Sequence, residues 1–262
     1  METLVLYLLL GAFAGTLAGL LGVGGGLVIV PVLTFVFHGQ GFAEQFIVHL
    51  AVGTSLATIV FTSISSVRAH HKRGAVLWPV VRQLTPGIIV GSLAGAAIAD
   101  ALPAATLATV FGIFALAVAV EMAFGRKPAP HRQLPALPGM FGAGGVIGVV
   151  SAIVGIGGGS LTVPFLTWCN VAMRNAVATS AACGLPIALA GAVGFAATGW
   201  NEPGLPAWST GYVYWPALVV VALATIVFAP LGARLAHTLP TATLKRFFAV
   251  FLAVLGTKML IG

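Results

Sequence analysis

Eight apolar stretches punctuate the chain: Leu4 to Phe37, Phe46 to Val67, Val76 to Ala99, Ala104 to Phe124, Pro138 to Val171, Asn175 to Thr198, Tyr212 to Ala236 and Thr243 to Ile261. Polar and charged residues fall almost wholly between them. A helix needs about 20 residues to cross a ~30 Å hydrocarbon core, and six of the stretches suit one crossing each. The first and fifth are 34 residues long. As straight helices they would reach roughly 50 Å, too far for a single crossing. Glycine runs, Gly22 to Gly26 and Gly155 to Gly159, interrupt both. Each therefore predicts a helical hairpin that crosses twice or re-enters part way.

An internal repeat relates the two interrupted stretches. Gly22-Val-Gly-Gly-Gly-Leu-Val-Ile-Val-Pro-Val-Leu-Thr-Phe35 aligns with Gly155-Ile-Gly-Gly-Gly-Ser-Leu-Thr-Val-Pro-Phe-Leu-Thr-Trp168, identical at eight of 14 positions. Upstream, Gly11 and Gly15 match Gly144 and Gly148; downstream, Ala51-Val-Gly-Thr-Ser55 matches Ala176-Val-Ala-Thr-Ser180. Trp78-Pro79 then matches Trp215-Pro216, and Leu102-Pro103 matches Leu239-Pro240. The chain reads as one membrane domain, 1–262, built from a first half of about 1–124, a cytoplasmic linker at 125–138 and a second half of about 139–262.

Lys and Arg are retained on the cytoplasmic side, so charge orients the halves. If each half crossed four times, eight of the 12 Lys and Arg would lie inside and four outside. If each hairpin instead returns to its starting side, eleven lie inside and only Lys258 outside, with Glu2, Glu44, Asp100 and Glu202 outside too. The second arrangement predicts an all-α polytopic protein of two inverted-topology repeats. Each repeat has a glycine-broken hairpin plus three transmembrane helices, and both termini lie on the non-cytoplasmic side.

Composition excludes other classes. Hydrophobic residues make up 59% of the chain and charged residues 6%, with mean hydropathy +1.09, against roughly 25% charged in soluble domains. The 34 Gly and 15 Pro suit spanning helices, where neighbours re-satisfy the backbone. A net charge of +7 does not make a nucleic-acid binder, because the basic residues sit in short clusters and form no continuous face. Met1-Glu-Thr3 lacks the positive region of a signal peptide, so the first stretch is expected to stay as structure. Cys169 and Cys183 have no metal-ligand spacing and are expected as small core residues; no metal or cofactor is implied. An intramembrane hydrolase needs a nucleophile with a base, or an aspartate pair; the sole Asp, Asp100, falls in an expected outer turn. The chain is not expected to be an enzyme.

Inverted repeats with broken helices meeting near the midplane are a recurrent transporter design, and irregular backbone at that depth survives where it lines a cavity. The glycine runs are therefore the candidate substrate site. Gly24, Gly25 and Gly26, then Gly157, Gly158, Gly159 and Ser160, precede apolar runs that restart helices. The N–H groups and positive dipole end of such helices bind anions. Hydroxyls of Thr54, Ser55, Thr179 and Ser180 offer further donors. The ladders Gly11-xxx-Gly15-xxx-Gly19 and Gly87-xxx-Gly91-xxx-Gly95 are read as packing faces. Gly22-Val-Gly24 lacks the third glycine of GxGxxG, and no GK[ST] follows, so nucleotide-loop readings fail.

Gly11-xxx-Gly15-xxx-Gly19-Leu-Leu-Gly-Val-Gly-Gly-Gly26 with Pro31, its echo Gly148-xx-Ser-Ala-xx-Gly-Ile-Gly-Gly-Gly159 with Pro164, and the paired Ala-Val-Gly/Ala-Thr-Ser segments resemble the TauE/SafE family of sulfite exporter-like permeases over nearly the whole chain. The resemblance implies movement of small sulfur-containing anions (sulfite, sulfonate, sulfoacetate or thiosulfate) and small organic acids across the bacterial inner membrane; the repeat and the charge count point to alternating access of one repeat against the other. An anion channel, or a carrier of a small carboxylate, is the alternative.

Arg174, just before the second Ala-Val-Ala-Thr-Ser segment, is a candidate for attracting the anion, against a plain positive-inside anchor. Arg82 divides between anion entry and interface anchoring. His49, in an expected loop at the outer face, and Glu121, near the inner end of its stretch, are candidates for proton coupling. His70-His71, between Arg68 and Lys72-Arg73, reads as a basic loop facing anionic lipid. Trp78 and Trp215 read as aromatic anchors at helix starts.

Overall fold

The computed structural model describes residues 2–21, 25–125, 133–235 and 241–261. Gly24, half of the linker (126–132) and the Leu239-Pro240 pair lie outside the described residues. The first interrupted stretch becomes α1 (Glu2–Leu21) and α2 (Gly26–Gly39), followed by α3 (Glu44–Lys72), α4 (Trp78–Asp100) and α5 (Ala104–Phe124). The fifth becomes α6 (Leu137–Val154) and α7 (Gly159–Trp168), followed by α8 (Met173–Thr198), α9 (Trp215–Leu235) and α10 (Thr241–Ile261). The fold is all-helical apart from a two-residue pair in the loop before α9, β1 (Ser209–Thr210) against β2 (Val213–Tyr214).

Among the described residues, α3, α4, α5, α6 and α8 are long and apolar enough to cross a membrane. Their outer faces are apolar at helical spacing: Ile89, Val90 and Leu93 on α4 and Ile113 and Val120 on α5 are exposed. Such a belt has its natural solvent in lipid. At 14 and 10 residues, α2 and α7 reach only about 21 and 15 Å, roughly two thirds and half of the ~30 Å hydrocarbon core. The Gln40 side-chain amide donates to the Tyr7 hydroxyl at 2.6 Å, tying the end of α2 to the beginning of α1.

Packing follows the small residues. Helix α1 lies on α9, α4 on α6, α3 on α8 and α5 on α10. Ladder glycines Gly87 and Gly91 back onto the Phe141 and Gly145 carbonyls, and Gly11 and Gly15 onto Val221, Ala224 and Thr225. One core gathers α1, α2, α3, α5, α9 and α10, with residues of α4, α6 and α8, around Phe37, Leu50 and Phe111; a second gathers α4, α6, α7 and α8 around Leu84, Ile88 and Ile187. Cys169 and Cys183 are buried.

Charge divides between the two ends of the bundle. Glu44, Asp100, Glu202 and Lys258 line one cavity of about 990 Å³ at the start of α3. The far end of α3 carries Arg68, Lys72 and Arg73, and there the Arg174 guanidinium donates to the Arg73 carbonyl at 3.1 Å. His70 and His71 belong to the last turn of α3 rather than to a loop, because the helix runs on for 29 residues. The Trp78 indole N–H donates to His71 Nδ1 at 3.2 Å. Trp78 and Trp215 begin α4 and α9 with their rings exposed.

Candidate functional site

The two glycine runs meet inside the bundle. A Cβ on Gly26 would collide with the Gly155 carbonyl oxygen and come within 2.9 Å of Ile156 Cα, so the start of α2 lies directly against the second break. Both helices restart in the same way. Gly25 (φ 74°, ψ −16°) and Gly158 (φ 73°, ψ −3°) are left-handed N-caps, a conformation other residues adopt only with strain. Each cap carbonyl closes the first turn: Gly25 accepts from Val28 and Ile29, and Gly158 from Leu161 and Thr162. The preceding N–H groups at each start, on Gly26 and Leu27 and on Gly159 and Ser160, have no backbone acceptor among the described residues. They carry the partial positive charge of a helix N-terminus.

Ser55 and Ser180 occupy matched positions but differ in what they do. The Ser55 hydroxyl donates to the Gly155 carbonyl at 2.9 Å, while the buried Ser180 hydroxyl has no partner among the described residues. Gly184, one turn beyond Ser180 on α8, faces the Gly157 carbonyl. Ser160 Oγ, Ser151 Oγ and Thr162 Oγ1 are likewise buried without partners among the described residues. Ser151 and Thr162 escape a reading based on motif positions alone. The signal for them is a comparison of the two halves, which gives alanine and isoleucine at Ala18 and Ile29.

Thr54 and Thr179 hold helix starts. Thr54 Oγ1 accepts the Tyr214 N–H and Thr179 Oγ1 the Leu77 N–H, each at 3.0 Å. Tyr214 and Leu77 each precede a Trp-Pro pair that opens a helix, where an N–H has no acceptor four residues back. Removing one such acceptor strands a half-buried donor at a cost of about 1–3 kcal/mol. Thr54→Val and Thr179→Val are each expected to lower the thermal midpoint of the purified protein, and the serine variants to restore it.

Arg174 and Glu121 do not join the breaks. Arg174 is exposed on the Arg73 carbonyl, and Glu121 is exposed in the last turn of α5. Arg82 is exposed on α4. His49 lies in α3, not in a loop, and is 4% exposed. Helix α3 begins at Glu44, and this turns the ring inward, so that Nε2–H donates to the Ala99 carbonyl at 3.0 Å. The ring lies 5.1 Å from that of Tyr212 and lines the cavity at the acidic end. Its Nδ1 has no partner among the described residues. The Tyr212 hydroxyl donates to Asp100 Oδ1 at 2.9 Å. Burial first, then the Asp100 carboxylate, push the Tyr212 phenol well above its ordinary range, so it stays a donor.

A family model described as sulfite exporter TauE/SafE matches residues 7–259. A probable membrane transporter protein of Haemophilus influenzae is 38% identical over 258 residues, covering 98% of this chain and 97% of that protein. Another from Methanocaldococcus jannaschii is 30% identical, covering 98% and 96%, and the probable membrane transporter YdhB of Bacillus subtilis is 27% identical, covering 98% of each. No solved structure matches.

Proposed function

We propose, from the premise that the chain belongs to the sulfite exporter TauE/SafE family of membrane transporters, that it carries small sulfur oxyanions, of the sulfite or sulfonate class, across the bacterial inner membrane. The carrying observation is the contact of Gly26 with Gly155 and Ile156. Two short helices start where their breaks touch, so N–H groups without backbone acceptors and positive dipole ends converge, with no buried cation there among the described residues. An anion bound there needs little reorganisation of the protein and leaves again readily, as a carrier requires.

Inverted repeats are supported by the way contacts exchange between halves. Gly11 backs onto Val221 and Ala224, and its counterpart Gly144 onto Leu84 and Ile88, with Leu84 and Val221 equivalent by the Trp-Pro alignment. Thr54 with Tyr214 and Thr179 with Leu77 exchange in the same way. Helix α1 begins at the acidic end beside Gln40, and Lys258 near the end of α10 sits over the Phe35 ring at 4.2 Å. On the positive-inside rule, that end faces away from the cytoplasm together with both termini. The packing favours a moving boundary that does not separate the halves: α4 belongs with α6, α7 and α8, and α9 with α1.

The test is uptake by proteoliposomes of labelled sulfite, thiosulfate and sulfoacetate, with acetate as the control, with and without a pH gradient. Saturable uptake with counterflow is expected for a sulfur oxyanion. Uptake that neither saturates nor shows counterflow makes the protein a channel, and acetate alone moving makes it a carboxylate carrier.

His49 is our candidate for the proton link, ahead of the exposed Glu121. It shares its cavity with His38, Glu44, Asp100, Glu202, Tyr212 and Lys258, and protonation of Nδ1 places a charge beside the Asp100–Tyr212 pair. His49→Gln is expected to abolish the response of uptake to the gradient while leaving counterflow; a gradient response equal to that of the unaltered protein removes His49 from the mechanism.

A further inference from the structure

We infer that the anion seat is one-sided: it is formed by the start of α7 and the hydroxyls of Ser151, Ser160 and Thr162, and is not shared equally between the two breaks. The inference rests on the anion-carrier reading above and assigns the site within it.

The hydroxyls of Ser151 and Thr162 converge on Gly158. A methyl there would stand 3.4 Å from Thr162 Oγ1 and 3.5 Å from Ser151 Oγ. Ser160 lies in the same first turn of α7. Ser151 and Thr162 are fully buried, and all three oxygens lack partners among the described residues. An unsatisfied buried hydroxyl costs roughly 1–3 kcal/mol, so three of them at one helix start form a costly arrangement unless a ligand uses them. The Gly159 and Ser160 N–H groups add two donors.

The first break has matching N–H groups on Gly26 and Leu27 but lacks the three hydroxyls. Ala18, Leu27 and Ile29 stand where Ser151, Ser160 and Thr162 stand in the second half. Leu27 and Ile29 are 1% exposed and part of the apolar core. Ser55 is already spent on the Gly155 carbonyl. The first break is thus a wall and the second a seat. Hydroxyl donors around a positive helix end, with no cation beside them among the described residues, fit a compact oxyanion whose several oxygens each accept a bond, such as sulfite or the head of a sulfonate.

The test is isothermal titration of the purified protein with sodium sulfite, thiosulfate and methanesulfonate, against sodium chloride at equal ionic strength. Ser151→Ala and Thr162→Val are each expected to weaken binding about tenfold or more, the loss of one hydrogen bond to a charged group. Thr162→Ser should restore it, and Ser55→Ala should bind like the unaltered protein. If Thr162→Val fails to fold, Thr162→Ser and Ser160→Ala carry the comparison. Normal binding by the Ser151, Ser160 and Thr162 variants overturns the seat and leaves the carrier reading standing. Equal loss in Ser55→Ala overturns its one-sidedness. Heat from sodium chloride matching that from the oxyanions means that sodium ions or anions of any kind account for it, and overturns the oxyanion seat. No binding of any oxyanion by the unaltered protein overturns both readings.

Discussion

Gly26→Ala is expected to cut uptake in proteoliposomes between roughly tenfold and a hundredfold while the protein still folds and purifies. The added Cβ has no room: it meets the Gly155 carbonyl oxygen, Ile156 Cα at 2.9 Å and Ile59 Cδ1 at 3.0 Å. The isoleucine methyl can turn aside, but the two backbone atoms cannot. Overpacking of this kind costs about 1–3 kcal/mol, and here the cost falls only on the state in which the breaks touch. Each 1.4 kcal/mol of penalty lowers the population of that state about tenfold. Gly142→Ala is the control, because its Cβ meets nothing within 4 Å. There alanine replaces glycine inside α6, and stability should rise by up to about 1 kcal/mol. Equal transport by Gly26→Ala and Gly142→Ala would show that the contact between the breaks is not used in the cycle.

The helices and their breaks were legible because lipid imposes a simple code: apolar length sets the crossings, and three adjacent glycines stop a helix that apolar residues would otherwise continue. The repeat added the pairing of Thr54 with Thr179, though not its purpose. Both threonines were expected to face the substrate. Their partners, Tyr214 and Leu77, lie 160 and 102 residues away in sequence, and no local pattern announces an acceptor needed at that range. His49 was hidden for the same reason. Its burial depends on the Ala99 carbonyl and the Tyr212 ring, which only the assembled bundle brings to α3. Arg174 looked well placed because it precedes a motif, yet on α8 its side chain turns to the end of α3. The halves also differ, with a hydroxyl at Ser151 and Thr162 against apolar Ala18 and Ile29 at the matching positions, a contrast that only an alignment of the two halves brings out.

The second large effect is expected at the α4–α6 seam, where Gly91→Val should remove most of the folded, monodisperse protein. A Cβ at Gly91 strikes the Gly145 carbonyl oxygen and lies 2.9 Å from Gly145 C and Cα. All three are backbone atoms of a helix, so the axes must move apart. Gly87 and Gly95 lose their contacts with Phe141 and Val149 together, and Gly144 and Gly148 theirs with Leu84 and Ile88. Without a hydrophobic force between helices in lipid, this close packing is what holds the pair together, and the loss should exceed the ~1–3 kcal/mol of one overpacked site. Gly145→Ala is the sharp control. It lies in the same seam, but its own Cβ would meet only the Gly87 carbonyl oxygen at 3.9 Å, and it should fold and transport normally. Size-exclusion profiles and thermal midpoints of the two variants decide the matter: equal loss in both would mean that glycine is needed along α6 for its backbone rather than for the space it leaves.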